Sequence, residues 1–410
     1  MTEHILNVLL HKRPVGTLVL LTGEQNLFAF NDDYINDLKR PTVSLSFKSV
    51  MGDLITDVKA TRTRLPPFFS NLLPEGPMRK YLAKRANVNE NREFFLIQAL
   101  GQDLPGAISI QESGSYNNLL QKHAEQKEID AQFKGALRFS LAGVQLKFSA
   151  VQEATGGLTI PAQGSGGSWI VKLPSTSFDA VPENEFAMMR LAGMIGMNVP
   201  EIRLIPIRTI SGLPDEMRAM KGNAFVIRRF DRNEDGSAVH MEDFAQVFGL
   251  YPEKKYDRAN YRNIAEVILA ESGLHDIAEF VRRLVFNTLI GNADMHLKNW
   301  SLIYPDCRQA VLAPAYDLVS TIPYIKDANT ALKLGKSRDM EGLSMDRLSD
   351  FAAGARLPQK LVLDTTRETV ERFMDAWENG VYLDKLPFVR DAMKEHLKTI
   401  RLVKELAMNR

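Results

Sequence analysis

"NTLIGNADMHLKNWSLIY", residues 287–304, places Asn292, Asp294, His296, Lys298 and Asn299 within eight positions between two apolar runs. Before it, Val281, Leu284, Val285 and Leu289 recur at helical spacing, and after it "SLIY" reads as a strand. A polar cluster between a buried helix and a buried strand is a loop that presents side chains on a rigid scaffold.

The spacing inside and beyond the cluster is chemically specific. Asn299 follows Asp294 by five residues, and Asp317, in "APAYDLVS", lies eighteen residues further on, after the β-prone "QAVLAPAY". A carboxylate that aligns a hydroxyl, an amide oxygen and a second carboxylate make a phosphoryl-transfer set. The amide and the second carboxylate are hard oxygen ligands for Mg²⁺. Asp-x4-Asn followed by Asp on the next hairpin is the protein-kinase arrangement. Such a site needs a cation on a strand, and "SWIVKLP" supplies Lys172. It needs a carboxylate on the next helix, and "PENEFAMMRLA" offers Glu183 or Glu185. It needs a loop over the phosphates. No G-x-G-x-x-G precedes Lys172, and "SLAGVQLK", Ser140 to Lys147, is the nearest candidate.

Each residue also has a plainer reading. Lys172 alone reads as a solubilising lysine on an edge strand, Glu185 as a solvated first-turn charge, and Asp317 as a turn residue. His296 has no second His or carboxylate at ligand spacing and reads as structural or hydrogen-bonding. Trp300 and Tyr316 read as core. "GSGG" at 164–167 has no Lys-Ser/Thr after it and is not a Walker A loop.

Bulk properties bound the classes. A chain of 410 residues with 45% hydrophobic and 25% charged residues is expected to fold as two or three lobes. Its net charge of +1 excludes a polyanion binder by composition, so any nucleic-acid contact needs a local patch. Cys307 is the one cysteine, which rules out an internal disulfide and a Cys-based metal cluster. "MTEHILNVLLHKRPVG" has no basic leader region, and no stretch of 18 apolar residues occurs, so a cytoplasmic protein without a membrane span is expected.

Along the chain, "ILNVLL", "GTLVLL", "LFAF" and "TVSLSF" read as strands. Residues 66–102 carry helical spacing, with Phe94, Phe95, Ile97 and Leu100 on one face, and residues 114–135 read as a polar excursion. A second β-rich block holds "RFSLAGVQLKFSAV", "LTIP", "SWIVKLP", "VPEIRLIPI" and "AFVIRRFDR", interrupted by a helix at "ENEFAMMRLAGMIG" and by the flexible turn "PAQGSGGS". After residue 243 the pattern is helical to the end.

"GNADMHLKNWSLIY", "AYDLVST", "RRFDR", "SLAGVQLK" and "NLLPEG" occur together, in a chain that resembles the HipA family of serine/threonine kinases, the toxins of HipBA-type toxin–antitoxin systems, over nearly its whole length. The resemblance implies an α+β, protein-kinase-like two-lobe fold. Residues 1–110 would form a β-rich N-terminal subdomain, 111–242 the nucleotide lobe, and 243–410 an all-helical lobe. Asp294 resembles the catalytic Asp, Asn299 and Asp317 the Mg²⁺ ligands, and Lys172 the lysine on the ATP phosphates. Ala142, Gly143, Val144, Gln145, Leu146 and Lys147 resemble the loop over ATP, and Ser140 the serine that family members autophosphorylate. Arg228, Arg229 and Phe230 resemble the hinge that meets adenine, and His296, Leu297, Lys298, Asn299 and Tyr316 would line the nucleotide pocket. Two positions depart from the family: Leu146 stands where an acidic residue is common, and Arg228 where the hinge often begins with Glu.

The resemblance also implies ATP and Mg²⁺ as cofactors and an aminoacyl-tRNA synthetase, typically glutamyl-tRNA synthetase, as substrate. It implies a HipB-like helix-turn-helix antitoxin as partner, with operator DNA reached mainly through it. The chain has no recognisable helix-turn-helix of its own, and its basic end, "RDAMKEHLKTIRLVKELAMNR", reads as a solvated amphipathic face. Two other readings are a kinase-shaped co-repressor with little catalysis and a kinase for a small molecule.

Overall fold

The computed structural model describes residues 4–113, 146–153, 157–161, 167–325, 329–378 and 381–408. The expected excursion at 114–135, Ser140 and Ala142 to Gln145 lie outside the described residues, as does most of the "PAQGSGGS" turn.

The chain opens with an antiparallel sheet of β1 (His4–Leu10), β2 (Arg13–Leu21), β3 (Gln25–Phe30), β4 (Thr61–Arg62) and β5 (Ile108–Glu112), in the order β4-β3-β2-β1-β5. Leu6, Val8 and Leu10 alternate onto the buried face, as a period of two requires. Helices Pro67–Leu72, Gly76–Arg85 and Glu93–Leu100 share its core through Phe68, Phe69, Leu82 and Phe94. "TVSLSF", expected as a strand, instead makes a 3-10 turn at Leu45–Phe47. Ser44 Oγ accepts from Ser46 N at 3.1 Å and donates to Glu242 at 2.5 Å, and Leu45 N donates to Glu242 at 2.9 Å. The segment is consumed in docking on the far lobe, and β4 takes the free edge of β3.

A six-stranded sheet follows, made of β6 (Lys147–Gln152), β7 (Leu158–Thr159), β8 (Trp169–Lys172), β9 (Ile202–Pro206), β10 (Ile210–Ser211) and β11 (Asn223–Arg228), in the order β10-β7-β6-β8-β11-β9. Both of its faces are covered. Phe148, Val171, Ala224 and Val226 join the core of the N-terminal subdomain, while Phe225 and Ile227 face the core that includes helix Val181–Met194. The first subdomain is therefore packed into the back of the nucleotide lobe.

The helical lobe carries helices Tyr261–Glu271, Leu274–Leu289, Met345–Gly354, Gln359–Glu378, Pro387–Thr399 and Arg401–Ala407. It is not all helix: β12 (His240–Asp243), β13 (Ser301–Tyr304) and β14 (Val311–Leu312) form a sheet, and β15 (Asn329–Leu334) pairs with β16 (Ser337–Asp339). These strands are two to six residues long, too short for a periodic signal to separate them from loops. The last two helices are separated at Ile400, where ψ turns to 118°. Among the described residues no helix is long and apolar enough to cross a membrane.

Helix Leu274–Leu289 is buried along most of its length and ends at a left-handed Gly291, φ 66°. A Cβ there would lie 2.6 Å from Ile322 Cδ1. Gly291→Ala is expected to cost about 1–3 kcal/mol, from the disfavoured φ and the clash together. A denaturant midpoint equal to that of the wild type would contradict this.

Candidate active site

Gly291 reverses the chain so that the polar cluster faces the cleft between the lobes. Asn292 Nδ2 donates to Asn287 Oδ1 at 2.7 Å, and Asn292 Oδ1 accepts from Asp294 N at 3.0 Å, an Asx-type turn that aims the Asp294 side chain. Thr321 Oγ1 clamps the same turn, accepting from Ala293 N at 2.8 Å and donating to the Gly291 carbonyl at 3.0 Å. Met295, Leu297 and Trp300 are buried in the core and anchor the loop from behind. Asn299 Nδ2 donates to the Asp294 carbonyl at 3.1 Å, which among the described residues leaves Asn299 Oδ1 uncommitted.

Facing this loop are two lysines. Lys147 and Lys172 are cross-strand partners on β6 and β8, so both ammonium groups leave the same face of the sheet. Like charges directly opposite on neighbouring strands repel, so this pair needs an anion. Asp317 supplies part of it. Its backbone is left-handed, φ 54°, a conformation Asp tolerates better than most residues. Lys172 Nζ is bonded to both Asp317 Oδ1 and Glu185 Oε1, and Lys147 Nζ lies 3.5 Å from Asp317 Oδ2. Burial opposes charge on Asp317, but Lys147 and Lys172 outweigh it and hold its carboxyl well below the usual range. Burial likewise opposes charge on Lys172, which Asp317 and Glu185 outweigh, so its pKa is raised. Lys147, with a longer and single contact, is lowered by burial. Of the two candidate helix carboxylates, Glu185 holds Lys172, while Glu183 accepts from Asn223 Nδ2 at 2.9 Å.

The cleft encloses a cavity of about 300 Å³, at the lower end of small-ligand sites. One end is apolar, with Ile170, Val181, Ile227, Phe230, Met241 and Tyr316; the other is polar, with Lys147, Lys172, Asp294, Asn299 and Asp317. Tyr316 donates to the Lys298 carbonyl at 2.9 Å, and its ring lies 5.5 Å from that of Phe230. His296 lines the cavity with an unpartnered, buried Nδ1, and burial pushes its pKa down to about 3, so it is neutral. Burial raises the pKa of Asp294, with the hydrogen bond from Tyr256 working against the shift.

Several expected contacts are made differently. Leu297 is fully buried in the helical-lobe core and does not line the cavity, because the 3-10 turn Leu297–Asn299 points it inward. Leu146 packs against the core of the N-terminal subdomain. The Arg229 side chain turns away from the cavity into a buried ion network, meeting Asp231 at 2.8 and 2.9 Å and Asp103 at 3.0 Å. Hinge residues Arg228, Arg229 and Phe230 nevertheless border the cavity. Lys298 also borders it, with Nζ held by the Asn71 carbonyl and Oδ1, both at 3.0 Å, and by Glu75 at 3.2 Å.

Asn71, Glu75 and Pro105 belong to the N-terminal subdomain and still line the cavity. Spacing along the chain carries no sign of this, since their partners lie far away in sequence. Burial alone would raise Glu75, but Lys298 and Lys255 hold it down to about 2. Among the described residues no three His, Cys, Asp or Glu side chains converge to hold a metal by themselves. Asn299 and Asp317 instead bring two oxygen-bearing side chains to the cavity lining, and Mg²⁺ is commonly held by only one or two protein ligands together with phosphate oxygens.

Known proteins resemble this chain in sequence and in fold. Residues 6–111 match the HipA N-terminal domain, and residues 139–377 match the HipA-like C-terminal domain. Y4dM of Sinorhizobium fredii, a protein named as a kinase, is 54% identical over 407 residues, covering 98% of each chain. The serine/threonine-protein kinase toxin HipA of Shewanella oneidensis is 28% identical over 352 residues, 78% of each chain. The fold matches the Shewanella oneidensis MR-1 structure of HipA with HipB and its operator DNA at a TM-score of 0.74, 23% identity and coverage of 98% and 99%. With both domains matched in order, the chain belongs to the HipA family of kinases.

Proposed function

We propose that this protein is an ATP- and Mg²⁺-dependent serine/threonine protein kinase that acts in the cytoplasm as the toxin of a toxin–antitoxin pair. One observation carries the reading: Lys172 is bonded to both Glu185 and Asp317, at the polar end of an apolar slot, with Asp294 and Asn299 across from it. The lysine–glutamate pair and a metal-binding Asp must both be in place for a kinase to work. The apolar end suits a purine. The facing lysines suit a polyphosphate, since Lys147 has only a 3.5 Å contact to Asp317, a carboxylate it shares with Lys172.

Asn299 Oδ1 and Asp317 would hold Mg²⁺, which neutralises phosphate charge when bound. Lys147 and Lys172 hold the phosphates, and Asp294 aligns an incoming Ser or Thr hydroxyl. The new bond joins that oxygen to the γ-phosphorus, the bond to the ADP oxygen breaks, and the hydroxyl proton passes to Asp294. Positioning and electrostatics supply most of the rate. Membership of the family supports an aminoacyl-tRNA synthetase, glutamyl-tRNA synthetase first, as the substrate. It also supports self-phosphorylation at Ser140 as an off switch, and a HipB-like antitoxin that carries the complex to operator DNA.

Intact-protein mass spectrometry after incubation with Mg²⁺-ATP and glutamyl-tRNA synthetase, for wild type and Asp294→Asn, tests this. Phosphate on the synthetase or on Ser140 in the wild type alone is expected. Nucleotide binding without phosphate on any protein would overturn it, in favour of a co-repressor that works by holding its partner. Phosphate found only on extracted metabolites would point to a small-molecule kinase.

A further inference from the structure

Tyr256 has no part in the kinase scheme above, yet its phenol is the one side chain whose hydrogen bond reaches the Asp294 carboxylate among the described residues. The hydroxyl donates to Asp294 Oδ1 at 2.5 Å. Among the described residues Asp294 Oδ2 has no hydrogen-bond partner, and it is the oxygen that remains for an acceptor hydroxyl.

The phenol is itself held from three sides. Its ring stands edge-on to His296, 5.0 Å between centroids, on the catalytic loop. Its neighbour Lys255 accepts at the carbonyl from Leu297 N at 3.2 Å and donates from Nζ to Glu75 at 2.9 Å, tying the segment to the loop and to the N-terminal subdomain. Its own carbonyl accepts from Arg338 at 2.7 Å, on the hairpin that follows Asp317. Burial and the charge of Asp294 raise the phenol's pKa well above its usual value, so it stays protonated and remains a donor.

We propose that Tyr256 is a positioning residue for the catalytic carboxylate. It fixes the side-chain rotamer of Asp294 so that Oδ2 meets the acceptor hydroxyl, and its carbonyl, bonded to Arg338, ties its segment to the β15–β16 hairpin. This role rests on the kinase reading. A carboxylate free to rotate spends less time in the productive geometry, and small misplacements of catalytic groups are costly in rate.

The experiment is steady-state phosphotransfer by the full-length protein with Tyr256→Phe, which keeps the ring against His296 and deletes only the donor. The expected result is kcat lower by about 10- to 100-fold, KM for ATP within about twofold of the wild type, and an unchanged thermal midpoint. A merely structural tyrosine would move the midpoint and leave kcat alone. A tyrosine that blocks the acceptor site would raise kcat on removal. Either result overturns the proposal. Active wild type with kinetically identical Tyr256→Phe refutes the positioning role alone, whereas a wild type that transfers no phosphate refutes the kinase reading and this role with it.

Discussion

Asp317→Asn is expected to lower phosphotransfer by about 10²–10³-fold at saturating ATP and also to weaken the protein itself. Asparagine has nearly the same shape and tolerates the left-handed backbone at this position, so the loss is one of charge. Asp317 is the counter-ion shared by Lys147 and Lys172, and Glu185 touches only the second of them. Without it two buried ammonium groups face each other against one carboxylate. Removing one partner of a buried ion pair costs about 3–5 kcal/mol, and the partial exposure of Asp317 puts the expected loss nearer about 2 kcal/mol. The variant should recover more stability than the wild type does when metal-free ADP is added, because the diphosphate replaces the missing charge. Asp294→Asn should behave differently. Its carboxylate is bonded to a neutral phenol, so stability and ATP affinity should hold while kcat falls by about 10²–10⁴-fold. Thermal midpoints with and without ADP, set beside kcat, separate the two. Equal stability and equal ADP response in both variants would remove the phosphate-end assignment of Asp317.

The placing of Asp294 and Asn299 on one cleft-facing loop was legible because the turn that holds them is local. Asp294 and Asn299 are five residues apart, and the turn that aims them is built from Asn287, Gly291, Asn292 and Thr321, the first three within seven residues of Asp294. Lys172 was legible as a cation in an apolar strand, and its pairing came down to two glutamates on the next helix. What the sequence hid is what only tertiary packing creates. Asn71 and Glu75 reach Lys298 across more than two hundred residues, and Tyr256 reaches Asp294 across thirty-eight. Arg229 was expected at the adenine because "RRF", Arg228 to Phe230, resembles the family's hinge. Its guanidinium went to two aspartates instead, since a buried arginine must find carboxylates and Asp103 and Asp231 stand behind the sheet. The short strands β12 to β16 and the Ser44 turn failed for the opposite reason. Their segments are too brief for periodicity, and pairing or docking decided them.

That same network carries the largest expected change in stability. Asp103→Ala should cost about 3–5 kcal/mol in unfolding free energy. Asp103 and Asp231 together balance Arg229 and Arg232, with Arg229 fully buried and Asp103 3% exposed. Removing Asp103 leaves two guanidinium groups sharing one carboxylate out of water's reach. It also strips a tie between the N-terminal subdomain and the hinge, where Asp231 accepts from Gly106 N at 2.8 Å and Arg232 donates to the Gly106 carbonyl at 2.9 Å. KM for ATP should therefore rise more than kcat falls, since Arg228 to Phe230 border the nucleotide cavity while the catalytic loop is braced elsewhere. A second variant separates charge from shape. Arg232→Met in the Asp103→Ala background should restore part of the lost stability, because it removes the uncompensated charge, whereas Arg232→Met alone should destabilise. Strict additivity of the two substitutions in a denaturant titration would mean that the network is not coupled, and the subdomain would then be held to the hinge by its apolar core alone.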